Sequence, residues 1–124
     1  MKLTDDRTGG SFLVRSFAPG ELRVGDATLR RSCLLRADRL VEDWPPQTLD
    51  ELTPADLDAI LALEPEIVIL GSGPHQRFPS PQWLAAMLSR GIGCEVMDTG
   101  AACRTYNVLV SEGRRVVAAL LLRD

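Results

Sequence analysis

Two stretches hold most of the residues able to do chemistry. The first is Gly71-Ser72-Gly73-Pro74, directly after the short apolar run Ile67-Val68-Ile69-Leu70. Glycines beyond the end of a buried strand let a ligand approach the backbone, and ligands of open α/β sheets sit past the carboxyl ends of the strands. A dinucleotide fingerprint would need a third glycine opening a helix. That position holds Gln76, and Pro74 and Pro79 forbid an immediate helix. A tight turn leading into a loop competes with the ligand reading. The second stretch runs Asp98-Thr99-Gly100-Ala101-Ala102-Cys103-Arg104-Thr105-Tyr106-Asn107, dense in polar residues for a segment beside apolar strands. Asp98 or Thr99 can cap a helix start. Arg104, Thr105 and Asn107 have no evident structural need. Arg104 could bind a carboxylate or phosphate, or pair with Asp98.

If the two strands before these stretches are neighbours, Gly71, Ser72, Gly73, Arg104 and Asn107 face one crevice, and Asp98, Thr99 and Thr105 join them as candidates to bind a ligand or partner. A partner or an anion is what such residues would hold. Catalysis is harder to find. The only histidine, His75, lies in a proline-flanked loop. Cys103 stands near a helix start, where the dipole lowers a thiol pKa. A Cys–His pair is therefore arithmetically open, against the plainer reading of a packed thiol and a loop imidazole. One histidine and scattered cysteines give no metal-ligand spacing. Walker, GxSxG and HExxH patterns are absent, so neither a cofactor nor a metal is expected.

These stretches are held by a chain of two halves. From Ser11 to Trp44 the pattern is β: Phe12, Val14 and Ser16 alternate with Leu13, Arg15 and Phe17. Pro19-Gly20 and Gly25-Asp26 mark turns, so Leu22 to Val24 pairs back as a hairpin and Thr28 to Leu35 forms a longer strand. Leu40 to Trp44 offers another short strand, ended by Pro45-Pro46. The period then changes. Thr53-Pro54-Ala55-Asp56 opens a helix with a cap, a proline at the first position and an acid at the positive dipole end. Ser80-Pro81 opens a second, stopped by Gly91, and Thr99 to Glu112 reads as a third, stopped by Gly113. Between them lie strands at 67–70, 93–97 and 115–122. The alternation predicts an α/β fold with a mixed, mostly parallel central sheet flanked by helices, and antiparallel strands from the first forty-odd residues.

Composition narrows the class. The 124 residues are 45% hydrophobic and 25% charged. That size fits a single domain over 11–124 after a loose lead-in at 1–10, and a chain this long buries roughly two-thirds of its unfolded surface. The net charge of −3 argues against nucleic acid or an anionic membrane as partner. Arg30, Arg31, Arg36 and Arg39 could still form a local basic patch, or a solvated strand face. Cysteines at 33, 94 and 103 make no disulfide framework. With no signal-peptide pattern and no apolar run near the ~20 residues a membrane span needs, the expectation is a cytoplasmic protein without membrane insertion.

Several runs together resemble a known domain family: Ile69-Leu70-Gly71-Ser72-Gly73, Phe78-Pro79, Gly91 to Thr99, Ala101 to Leu109 and Glu112-Gly113-Arg114-Arg115. That family is of unknown function, and its eukaryotic members include a mitochondrial respiratory complex I assembly factor and a protein linked to adipocyte differentiation. This chain is similar to its bacterial members. The resemblance implies a three-layer fold with an extra β-hairpin layer, and a final strand running antiparallel to the others. It implies no enzyme activity and carries over no catalytic residue. The favoured reading is a non-catalytic binding or assembly module with a protein partner, a homo-oligomer remaining open. The alternative is a small-molecule or anion-binding enzyme using the crevice between the 71–73 turn and the 98–107 segment.

Overall fold

A computed structural model describes residues 10–124. The lead-in expected at 1–10 falls, apart from Gly10, outside the described residues. The chain opens with β1 (Val14–Ala18), β2 (Glu21–Val24) and β3 (Ala27–Leu29), which form a three-stranded antiparallel sheet in that order. Positive φ at Gly20 lets the first hairpin turn between apolar-in, polar-out strands. Next come β4 (Cys33–Arg36) and β5 (Arg39–Val41), a 3-10 turn, α1 (Pro54–Leu61), β6 (Ile67–Ser72), α2 (Pro81–Leu88), β7 (Gly93–Met97), α3 (Thr99–Ser111) and β8 (Val116–Leu121). The larger sheet has the order β5-β4-β8-β6-β7.

The strand expected from Thr28 to Leu35 is two strands. The chain leaves the small sheet after Leu29 and joins the large one at Cys33, so the polar step Arg30-Arg31-Ser32 is a crossing between layers. Ser32 holds that crossing: its N–H donates to Gln47 Oε1 at 3.2 Å, and its carbonyl accepts from the N–H of Trp44 at 3.3 Å. The strand read at Leu40 to Trp44 ends at Val41. Trp44 instead turns inward and donates its indole N–H to the Asp56 carbonyl at 3.2 Å.

The last strand also corrects an expectation. β8 runs parallel to β6 and antiparallel only to β4. The crossover through α3 returns the chain to the end where β7 began, which enforces the parallel sense. The resemblance suggested otherwise, whereas the β-α-β alternation of the residues pointed the right way.

Three layers result. Successive residues of the central strands point to opposite faces. Val68, Leu70, Val117, Ala119 and Leu121 face α1 and α2, where Trp44, Ile60, Trp83 and Met87 are buried. Ile69, Ala118, Leu120, Cys33 and Leu35 face the third layer, built from Ala102, Cys103 and Tyr106 of α3 beside the small sheet's Leu22, Val24 and Leu29. The sheet core is covered on both sides, hence the unbroken apolar runs of β6 and β8. Helix starts follow the sequence: Ser80 Oγ accepts from the Trp83 N–H at 3.2 Å, and Asp98 Oδ1 from the Ala101 N–H at 2.9 Å. Asp56 reaches back to the Thr53 N–H at 2.8 Å. Among the described residues no helix is long and apolar enough to cross a membrane.

Candidate functional site

β6 and β7 are parallel neighbours, in register from Ile67 opposite Gly93 to Gly71 opposite Met97. Their carboxyl ends therefore bring the Gly71–Gly73 turn beside Asp98 and Thr99. The turn is packed shut. The buried Thr99 hydroxyl accepts from the Gly73 N–H at 2.8 Å and donates to the Leu121 carbonyl, while the Thr99 N–H donates to the Gly73 carbonyl at 2.9 Å. A Cβ on Gly71 would lie 2.8 Å from Thr99 Oγ1 and 3.0 Å from Thr99 Cα. Gly73 has φ of +100°, and a Cβ there would sit 2.6 Å from the Arg123 carbonyl oxygen. Both glycines thus let the chain's own segments meet. Ser72 is equally occupied: its hydroxyl donates to the His75 carbonyl at 2.7 Å and accepts from the Arg77 N–H at 3.1 Å, fastening the following loop.

Arg104 and Asn107 lie elsewhere, one and two turns further along α3, against the small sheet. Asn107 takes the place of a strand partner for Val14: its Oδ1 accepts from the Val14 N–H at 2.9 Å and its Nδ2 donates to the Val14 carbonyl at 2.8 Å. The buried Tyr106 hydroxyl donates to the Phe12 carbonyl at 2.8 Å. Thr105 turns toward β7, its hydroxyl 3.3 Å from Met97 Sδ. The single crevice expected from the sequence is therefore two places: the interlocked turn, which includes Asp98 and Thr99, and a cleft of about 240 Å³ between α3 and β1. Arg104 and Asn107 line that cleft together with Arg15, Phe17, Gly100 and Cys103.

The cleft depends on a bulge. Val14 pairs with Val24 and Ser16 with Arg23, so Arg15 is the extra residue in β1. Bulges re-aim side chains and leave a backbone unit unpaired; here Asn107 serves the Val14 backbone beside it. Arg15 lies 3.6 Å from Asp26 across the hairpin. Arg104 and Asp98 do not pair: Asp98 caps α3, and among the described residues no hydrogen bond or ion pair engages the Arg104 guanidinium. Nothing in the sequence joined Arg15 or Phe17 to this helix. The period-2 pattern gave a strand, and no signal told which face met α3.

Burial disfavours ionisation of the thiols. Burial pushes Cys103 up to about 12, with nearby Arg104 opposing and Asp98 adding to the shift. Burial likewise raises Cys94 to about 11 and Cys33 further still. All three cysteines are free. His75 is exposed, its Nδ1 3.3 Å from Asp124. Three of the four arginines weighed as a basic patch carry acids: Arg30 meets Glu21 at 3.2 Å, Arg36 meets Asp38 at 2.6 Å, and Arg31 stands 4.0 Å from Asp43. The Arg36 hydrogen bond holds the Asp38 carboxyl below its ordinary value.

The fold is a three-layer α/β domain whose polar residues at the strand ends serve its own packing. The chain belongs to the family described as "Protein of unknown function (DUF498/DUF598)", which matches residues 14–121. It is 40% identical over 91 residues to the mouse (Mus musculus) protein "NADH dehydrogenase [ubiquinone] 1 alpha subcomplex assembly factor 3", a match covering 72% of this chain and 49% of that one. The chain thus spans about half the length of this curated relative. Among solved structures it is similar to the Xanthomonas campestris protein XCC1710, with 45% identity, a TM-score of 0.83 and coverage of 98% and 92% of the two chains. A Bordetella pertussis protein described as a Mth938-like domain gives 29% identity, a TM-score of 0.80 and the same coverage, 98% and 92%.

Proposed function

We propose that this protein is a non-catalytic binding module that helps assemble a larger protein complex, working in the reducing environment of the cytoplasm. The observation that carries the reading is how the polar residues at the strand ends are used. Ser72, Asp98 and Thr99 spend their hydrogen bonds inside the fold, and Cys103 is held as a thiol by burial. A catalyst near neutral pH needs a nucleophile or an acid–base pair free to meet substrate. Arg104 faces outward, as do the loop imidazole of His75 and the apolar side chains of Phe78, Leu88 and Val108. In this reading Gly71, Ser72, Gly73, Asp98, Thr99, Thr105 and Asn107 position the surface, and Arg104 contacts the partner. The name of the mouse relative supports an NADH dehydrogenase as the class of client.

Affinity capture of the tagged protein from its own cells, scored for NADH dehydrogenase subunits, tests this. Enrichment of such subunits that weakens in Arg104→Ala is the expected result. A purified protein that turns over a substrate in a broad hydrolase and oxidoreductase screen, and loses that turnover in Asp98→Asn, would overturn the reading.

A further inference from the structure

We infer that the cleft between α3 and β1 seats one carboxylate, carried by an aspartate or glutamate side chain of a protein partner. The inference rests on the binding-module reading and names the chemistry of its contact. Four observations meet in the cleft. Arg104 presents a guanidinium that no described residue engages. Arg15, the bulge residue of β1, lines the opposite wall. Both walls are fixed, because Asn107 and Tyr106 tie α3 to the Val14 and Phe12 backbone through three hydrogen bonds. Gly100 lies at the foot of the cleft, where an added Cβ would meet only ordinary contacts, 3.4 Å to Asp98 Oδ1, 3.6 Å to Phe17 and 3.7 Å to Arg104 Nη1. Gly100 is the second residue of α3, in its first turn. Packing does not demand a glycine there, and any larger side chain would occupy the cleft.

The charges select the ligand. Two charged side chains line the cleft, Arg15 and Arg104; Asp98 lies next to its Gly100 end and Asp26 beyond Arg15. Arg15 already faces Asp26, and Asp98 is turned into the first turn of α3. Arg104 is the cation that no acid engages among the described residues. A guanidinium fork matches the planar carboxylate in two parallel bonds. A dianionic phosphate would bring two negative charges close to Asp98, where a carboxylate brings one. The size selects the carrier. About 240 Å³ lies below the roughly 300–1,000 Å³ of small-molecule sites and suits a single side chain. Phe17 and Val14 offer apolar wall for its methylene stem.

The test uses the whole chain labelled with ¹⁵N, titrated at low salt with a blocked hexaglutamate peptide, with free glutarate and with inorganic phosphate. The expected result is a saturating shift of the Gly100 and Ser16 amides and the Arg104 side-chain Nε–H with the peptide. Arg104→Ala should weaken it roughly tenfold, as loss of a charge-assisted pair does. Arg104→Lys should recover part of the loss, and Gly100→Leu, which fills the cleft, should abolish the shifts while the rest of the spectrum stays in place. Glutarate shifting the same amides more weakly supports the polypeptide source. Glutarate binding as tightly as the peptide overturns the side-chain source, and phosphate binding more tightly than either overturns the carboxylate assignment. No shift at these positions with any probe overturns the site. The two readings fail separately. Capture of subunits without peptide binding removes the cleft and leaves the module; Arg104-dependent peptide binding without capture removes the module and leaves the cleft.

Discussion

The two ends of helix α3 meet the rest of the molecule in opposite ways. At its start, Asp98 and Thr99 face the Gly71–Gly73 turn, and every hydrogen-bonding group named there is used by another part of the same chain. Midway along, the helix faces β1. There Asn107 bonds both backbone groups of Val14 while Arg104, three residues earlier, has no hydrogen-bond or ion-pair partner among the described residues. Polar density in a sequence thus has two meanings. At the strand ends it closes the fold; along the β1 seam it first fixes two walls and then leaves one cation between them.

The sharpest way to break this contrast is at the turn. Gly73→Ala would need an alanine at φ +100° with its Cβ 2.6 Å from the Arg123 carbonyl oxygen. The backbone penalty of about 1–2 kcal/mol adds to an overlap that only movement of the C-terminal segment relieves. We expect a loss of about 3 kcal/mol or more, placing it among the strongly destabilising substitutions. Urea unfolding reads this directly. A variant as stable as the parent would mean that the turn is open, as a ligand site would need.

Asn107→Ala comes next. It leaves both the N–H and carbonyl of Val14 without their partner beside the bulge. Unmet polar groups cost about 1–3 kcal/mol, and the seam is only half-buried, so we expect about 2 kcal/mol. Hydrogen exchange should rise at Val14 and its neighbours in β1, not in β6 or β8. Uniform protection across β1 would show that the seam does not depend on this side chain.

A pH titration separates the buried layer from both polar regions. Cys103 and Cys94 have folded pKa values near 12 and 11, above the 9.0 of an unburied thiol. Unfolding frees them to ionise first, so the stability they contribute is intact below pH 9 and is lost as pH rises toward the folded values. Each fully titrating thiol gives a slope of about 1.4 kcal/mol per pH unit in this window. Denaturant midpoints should be flat from pH 7 to 8.5 and fall steadily above 9. Replacing Cys103 by alanine should reduce the slope. A midpoint unchanged to pH 11 would contradict burial of these thiols.

The sequence made the large sheet legible because its signals are local. Ile67-Val68-Ile69-Leu70 and the run to Leu122 are too apolar for anything but covered strands, and Thr53-Pro54, Ser80-Pro81 and Asp98-Thr99 name the helix starts. The break at Arg30–Ser32 was hidden. Strand-forming residues on either side serve different sheets, and only the crossing between layers separates them. The candidate site was half legible for the same reason. Adjacency of β6 and β7 brings Gly71, Gly73 and Thr99 together through neighbouring strand ends. The bond from Asn107 to Val14 spans 93 positions and depends on which side of α3 the hairpin covers. No pattern within either segment encodes that choice.

The smallest expected effect is the most discriminating. Arg104→Ala should change stability by no more than about 0.5 kcal/mol, as is usual at exposed positions without special contacts. Among the described residues its guanidinium has no ion-pair or hydrogen-bond partner to lose. Arg104 does line the cleft together with Phe17 and Cys103, and loss of packing there is the one term that could enlarge the effect. Removing the positive charge also lifts a Coulombic restraint on the Cys103 thiol, so that thiol should become still harder to ionise. Thiol reactivity in the native state therefore supplies a second readout, expected to fall. A stable Arg104→Ala variant beside a weakened Asn107→Ala variant would separate the two residues that the sequence grouped, one holding the hairpin and one left free. If Arg104→Ala instead costs as much as Asn107→Ala, the arginine belongs with the structural set. The seam would then be as closed as the turn.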